Sequence, residues 1–232
     1  SYKANSKRIN LCPNASKGCA ESCLVGSGFG GMYTNVMKGR MEKSEYFLSD
    51  REAFLYQLKG EIEKALIKHK DNAIVTIRLN GTTDIAWEKF NVFDGKNIFE
   101  IFPSVQFYDY TKNWLRFDRE LPKNYYLTFS RSETNHSKCI ELLNRGINVA
   151  MVFDKIPSTF EGFEVINADT DDLRFLDKRG TICGLKYKKM TGKGADNSKA
   201  FSSGFAIRTE SIEDRLINLK KKISKKNLVL SN

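Results

Sequence analysis

Histidine and proline are both scarce in this chain of 232 residues, which holds two of the first and four of the second. So few histidines argue against a histidine-rich hydrolytic metal centre, and neither an H-E-x-x-H pair nor a G-x-S-x-G elbow occurs. Long apolar runs are missing as well. None approaches the roughly 18 to 20 residues that a membrane span needs, and the opening stretch SYKANSKRIN lacks the apolar centre of a secretory signal. Internal repeats and low-complexity blocks are absent. Five cysteines is an odd number and three of them fall within twelve positions, so a disulfide framework would leave a thiol over. The expectation is a reducing, intracellular setting without membrane contact.

What the chain does have is 41% hydrophobic residues, enough at this length to bury one substantial core. It also has a net charge of +10, unevenly placed. Lys186 to Lys226 holds twelve basic against four acidic residues, residues 1 to 51 hold eight against four, and the stretch between is close to neutral with 18 against 20. Basic ends on an ordinary core suit a polyanionic partner, nucleic acid above all. The plainer account of KKKISKK is a solvated tail. The organisation expected is one domain over residues 1–210 and a basic helix or tail over 211–232, whose Lys220, Lys221, Lys222, Lys225 and Lys226 follow a helix start at Ser211.

Strand-like and helix-like segments alternate along the domain. Apolar residues at Phe54, Leu55, Leu58, Ile62, Ala65 and Leu66 predict a helix from Asp50, and NHSKCIELLNRG predicts another that stops at Gly146. TKNWLRF supplies a short third. RINL, AIVTIRLNGTTD with its closing Gly turn, SVQFYDYTK, NYYLTFSRSE, INVAMVF, FEVINAD, TICGLKY and GFAIR make eight strand candidates, several of them nearly continuous apolar runs that suit a parallel sheet buried on both faces. The fold class expected is α/β: a (β/α) barrel, incomplete or irregular in its later half, with an open α/β sheet as the second choice. The connections after Val149 are too short for full helical crossovers.

Polar residues gather where these strands end: Arg78, Asn80 and Asp84; Asp109, Tyr110 and Lys112; Ser130, Arg131, Ser132 and Glu133; Asp154; Asp169, Asp171 and Asp172; Lys186 and Lys188. Loop starts are polar in any protein. Together, however, these groups would meet on the rim where a barrel enzyme places its chemistry. The candidate catalytic residues are Asp84, Asp109, Lys112, Arg131 and Glu133, with Arg78, Asn80 and Ser130 as candidate cofactor contacts.

Cys12, Cys19 and Cys23 are spaced C-x6-C-x3-C, with Pro13 after the first and GSGFGG after the last. Such a loop can wrap a metal centre. Zinc would need a fourth ligand, for which Cys139, Cys183 and His136 are available. Three thiolates suffice for a four-iron cluster with one iron open. Spacing does not choose between the two, and incidental thiols or a disulfide form the remaining reading. Gly28, Gly30 and Gly31 would let a small ligand approach closely, although GSGFGG is neither a dinucleotide fingerprint nor a phosphate loop. His69, Trp87 and Trp114 read as ordinary surface or core residues.

The segments LCPNASKGCAESCLVGSGFGG, IRLNGTTDIAWE, FYDYTK, LTFSRSE, VAMVF and DLRFLD followed by ICGLKYKK resemble a family of bacteriophage and plasmid proteins of the gene product 88 type, over about Asn10 to Arg208. The resemblance implies a mobile-element origin and action in a host cytoplasm, without an established reaction. A looser similarity, three cysteines near the first strand of a barrel followed by glycines, is to radical S-adenosylmethionine enzymes. That layout implies that Cys12, Cys19 and Cys23 hold a four-iron cluster, with S-adenosylmethionine as a candidate ligand, although the C-x3-C-x2-C spacing of those enzymes is not matched.

Three functional readings follow. The first is an iron–sulfur enzyme, radical in mechanism, acting on nucleic acid or a nucleotide. The second is a nuclease or phosphotransferase in which Asp84, Asp109 and Asp169 hold Mg²⁺ and the cysteines hold structural zinc. The third is a non-catalytic, metal-stabilised binder of nucleic acid or a host protein.

Overall fold

The computed structural model describes residues 9–27, 33–71, 73–191 and 195–209. Gly28, Gly30, Gly31 and the whole of the basic tail lie outside the described residues. The helices are α1 (Lys17–Glu21), α2 (Thr34–Ser49), α3 (Arg51–His69), α4 (Ile98–Ile101), α5 (His136–Asn144) and α6 (Lys199–Ser202). The strands are β1 (Thr76–Ile77), β2 (Gln106–Thr111), β3 (Tyr125–Ser130), β4 (Val149–Phe153), β5 (Thr159–Phe160), β6 (Phe163–Asn167), β7 (Ile182–Lys186) and β8 (Ala206–Ile207).

Local chemistry explains the main boundaries. Asp50 accepts from the Ala53 amide at 3.0 Å and caps α3. Gly146, at φ 78°, ends α5 as expected. The stretch Trp114–Asp118 is a short 3₁₀ turn rather than an α-helix. Residues 9–11, expected to begin the sheet, are not a strand.

The strands form one sheet in the order β1-β2-β3-β4-β7-β6-β5, with β8 also paired to β4. Every pairing is parallel except β5 with β6. One edge of β4 is shared. β3 pairs with Val149 and Ala150, then leaves, and β8 takes over at Val152 and Phe153.

The sheet stays open, which corrects the barrel expectation. A barrel needs its outermost strands to meet inside a surrounding ring of helices. Here the buried helical residues Phe47, Leu55, Ile62, Phe99, Cys139, Leu142 and Leu143 pack with Phe107, Leu127, Phe129, Val149, Met151 and Ile182, all on one face. The opposite face, with Tyr108, Tyr110, Tyr126 and Cys183, is covered by the irregular segment 168–179. Phe175 meets Tyr108 at 5.5 Å between ring centres, and Tyr110 donates to Asp172 at 3.1 Å. The last strand returns to β4 instead of closing on β1.

Candidate functional site at the carboxyl edge of the sheet

The cysteine segment is tied to the carboxyl ends of the parallel strands at several points. Cys12 donates its thiol hydrogen to the Thr82 carbonyl at 3.2 Å, and the Asp84 amide donates to the Leu11 carbonyl at 2.8 Å. Ser16 caps α1 by accepting from the Cys19 amide, and its own hydroxyl donates to Glu133 at 2.7 Å. The Gly18 amide donates to the other Glu133 oxygen, also at 2.7 Å. Farther along, the Thr191 amide donates to the Gly26 carbonyl at 3.1 Å and Ser27 pairs with Met190. Residues 12–27 thus lie against the chain that leaves β1, β3 and β7.

Lys112 occupies the centre of this edge. Its amide donates to Asp84 at 2.9 Å, and its ammonium donates to the Ser130 hydroxyl and to the Arg131 carbonyl. The same ammonium lies beside Cys19. Burial raises the Cys19 thiol above its ordinary value, and the charge and hydrogen bond of Lys112 pull against that rise. Burial pushes Cys12 up to about 11, helped by the neighbouring thiols of Cys23 and Cys19 and by Asp84. The three thiols therefore feel one another. For Glu133, burial acts upward but the Ser16 and Gly18 donors outweigh it, leaving the carboxyl below its usual range.

Asp84, Lys112, Ser130, Glu133, Cys12 and Cys19 accordingly share one neighbourhood. Arg131 adjoins it, but its guanidinium is spent on the Gly204 and Phe205 carbonyls at 2.9 and 3.1 Å, clipping the start of β8 to the end of β3. Asp109 and Asn80 lie beneath, in the core. Asp109 is 1% exposed and accepts from the Asn80 amide at 2.7 Å, the Asn80 side chain at 3.1 Å and the Tyr125 hydroxyl at 2.9 Å. Tyr125 in turn accepts from Arg116, which is paired with Glu88 at 2.7 Å. Arg78 is on the other face, over the Tyr110 ring and paired with Asp172 at 2.7 Å.

Among the described residues, no three histidine, cysteine, aspartate or glutamate side chains converge as a set ready to hold a metal ion. The metal loop expected from the spacing is therefore not shown among the described residues. The fourth zinc ligands considered are all engaged elsewhere. Cys139 is buried and bonded to Asn135, Cys183 sits by Asp177, and His136 lies between Arg131 and Glu161. The expected magnesium triad does not assemble. Both Asp109 oxygens are committed in the core, and Asp169 receives the Lys186 amide at 2.8 Å and pairs with Lys188.

Sequence reasoning overlooked the fasteners of the loop: Ser16, Gly18, Thr82 and Met190. Only Ser16 carries a local signal, a hydroxyl three residues ahead of Cys19 at a helix start.

One family model, described as gene product 88, matches residues 1–208. No curated protein and no solved structure matches the chain. The layout similarity to radical S-adenosylmethionine enzymes gains no support from these comparisons.

Proposed function

We propose, for a chain that belongs to the gene product 88 family, that Cys12, Cys19 and Cys23 hold an iron–sulfur cluster at the carboxyl edge of the sheet, where the protein acts on nucleic acid or a nucleotide. The observation that carries this reading is the joint placement of these free thiols over the ends of β2 and β3, beside Lys112 and Glu133. Parallel α/β sheets take their ligands at that edge. The donor set fits a three-thiolate centre in number and kind, and no fourth cysteine or histidine adjoins it among the described residues.

Because the thiols are not drawn together in advance, loading is coupled to ordering of the loop and to proton release. Such a cluster supplies electron transfer and an iron open to a small ligand. The chain's own residues do the rest. Lys112 places positive charge beside Cys19, and Glu133 anchors α1 through Ser16 and Gly18. Asp84 holds the start of the Lys112 loop. The free state of all five cysteines suits a reducing host cytoplasm. S-adenosylmethionine is retained only as a compound to add to the loaded protein, since the barrel that accompanies its use elsewhere is absent.

Single Cys12→Ser, Cys19→Ser and Cys23→Ser variants, purified without oxygen, should each lose most of the iron and sulfide, whereas Cys139→Ala should keep both. Equal metal content in the wild type and the triple serine variant would end the reading.

A further inference from the structure

Residues 186–191 and 195–209 carry five basic residues and one acidic one. The sheet register sets this charge along an edge. Phe153 is opposite both Lys186 and Ile207, so the backbones of Lys186 and Ile207 flank the end of β4, two strand spacings or about 10 Å apart, and Arg208 follows directly after β8. The segment then runs to the cysteine loop through Met190 and Thr191. Lys186, Lys188, Lys189, Lys199 and Arg208 are all exposed. Among the described residues, only Lys188 of these five is in an ion pair, with Asp169 at 3.3 Å. The nearby carboxylates are turned onto hydrogen-bond donors of the protein itself: Asp154 accepts from Lys155 and Thr209, and Asp196 from Ser198.

Three partly buried aromatic rings, Tyr187, Phe201 and Phe205, belong to the same segment. Tyr187 meets Phe201 edge-on at 5.1 Å, the Arg208 guanidinium covers Phe201 at 4.3 Å, and the Lys112 ammonium is 5.8 Å from the Phe205 ring centre. Exposed cations together with partly buried rings in one segment match a sugar–phosphate chain whose bases are free to stack. A duplex keeps its base faces inside, and a lone nucleotide would leave most of these cations unused.

We infer that the carboxyl edge of β4, β7 and β8 binds single-stranded nucleic acid, which a strip made of residues 186–191 and 195–208 leads toward the cysteine loop. This names the substrate class of the proposed function and rests on that reading only for what happens to the strand after it binds. The surface is separate from the basic tail.

The test is fluorescence anisotropy of the full chain with a labelled single-stranded oligonucleotide of mixed sequence, across a salt series. Lys186→Gln, Lys189→Gln and Arg208→Gln combined should weaken binding and lower the slope of log affinity against log salt by about 2, at ~0.7 for each phosphate that is no longer neutralised. Phe205→Leu should cost about tenfold in affinity with the slope unchanged, as loss of stacking would. Unlabelled duplex and mononucleotide should compete at least tenfold less well than the single strand. An unchanged slope in the folded triple variant, equal competition by duplex or mononucleotide, or no binding by the wild type would each overturn the inference. Metal content measured on the same samples keeps the two claims apart. Oligonucleotide binding without metal sinks the cluster alone, and metal without oligonucleotide binding sinks the strip alone.

Discussion

Asp109 takes a carboxyl group into the core, and burial pushes its pKa from 3.8 to about 7 in spite of the donors from Asn80 and Tyr125. Between those values the folded chain keeps a proton that the unfolded chain has released. Stability therefore falls as pH rises through that window, by about 4 kcal/mol if Asp109 acted alone. Unfolding by urea at a series of pH values should show this decline between pH 4.5 and 7, and Asp109→Asn should flatten it relative to the wild type. Parallel curves for the two would refute the assignment. Cys12 carries the opposite lesson for metal loading. Its thiol is neutral at pH 7 and must lose a proton to become a ligand, so metal affinity should rise with pH from 6 to 8 in a competition titration with a chromophoric chelator. A flat profile would speak against ligation by this thiol. The sequence reading placed Asp109 on an open rim, and the error has a physical source. β2 is buried on both faces, so alternation does not reveal that the carboxylate points at Asn80 and Tyr125 from segments far away in the chain.

At the scale of elements, the contact between α1 and the turn after β3 sets how firmly the cysteine loop is held. A side chain at Gly18 would put its Cβ 2.7 Å from the Ser203 hydroxyl and 2.8 Å from a Glu133 oxygen. Gly18→Ala should therefore push Glu133 away, destabilise the fold by about 1 to 3 kcal/mol and speed proteolytic cutting near residues 16–23. Wild-type melting and cutting rates in that variant would show the contact to be loose. Most elements were legible in the sequence. Seven of the eight expected strands exist, because each is an apolar run bounded by turn residues, and α3 and α5 lie where periodicity put them. The strand expected at RINL is absent from its described residues 9–11, because so short a run holds too little information to separate a strand from an extended loop. α2 was missed for a related reason. Its only fully buried residue is Phe47, so it has no apolar stripe to find. β5 is two residues long and owes its existence to its neighbour β6.

At the scale of the whole molecule, the parallel order of the sheet was readable but its closure was not. Whether a row of parallel strands curls into a barrel depends on where the connections run. Here α2, α3, α4 and α5 pack on one face, an irregular segment built around the buried Arg174 covers the other, and β8 turns back to β4. The strand ends still converge in part, which is why Asp84, Lys112, Ser130 and Glu133 meet the cysteine loop while Arg78 and Asp109 do not. The role proposed for this meeting place is to hold a three-thiolate cluster. Purification without oxygen, followed by iron and acid-labile sulfide assays and an absorption spectrum, tests it most directly. A brown protein with about four irons and four sulfides per chain is expected. A colourless chain holding neither element, with all five thiols open to titration after unfolding, would contradict it.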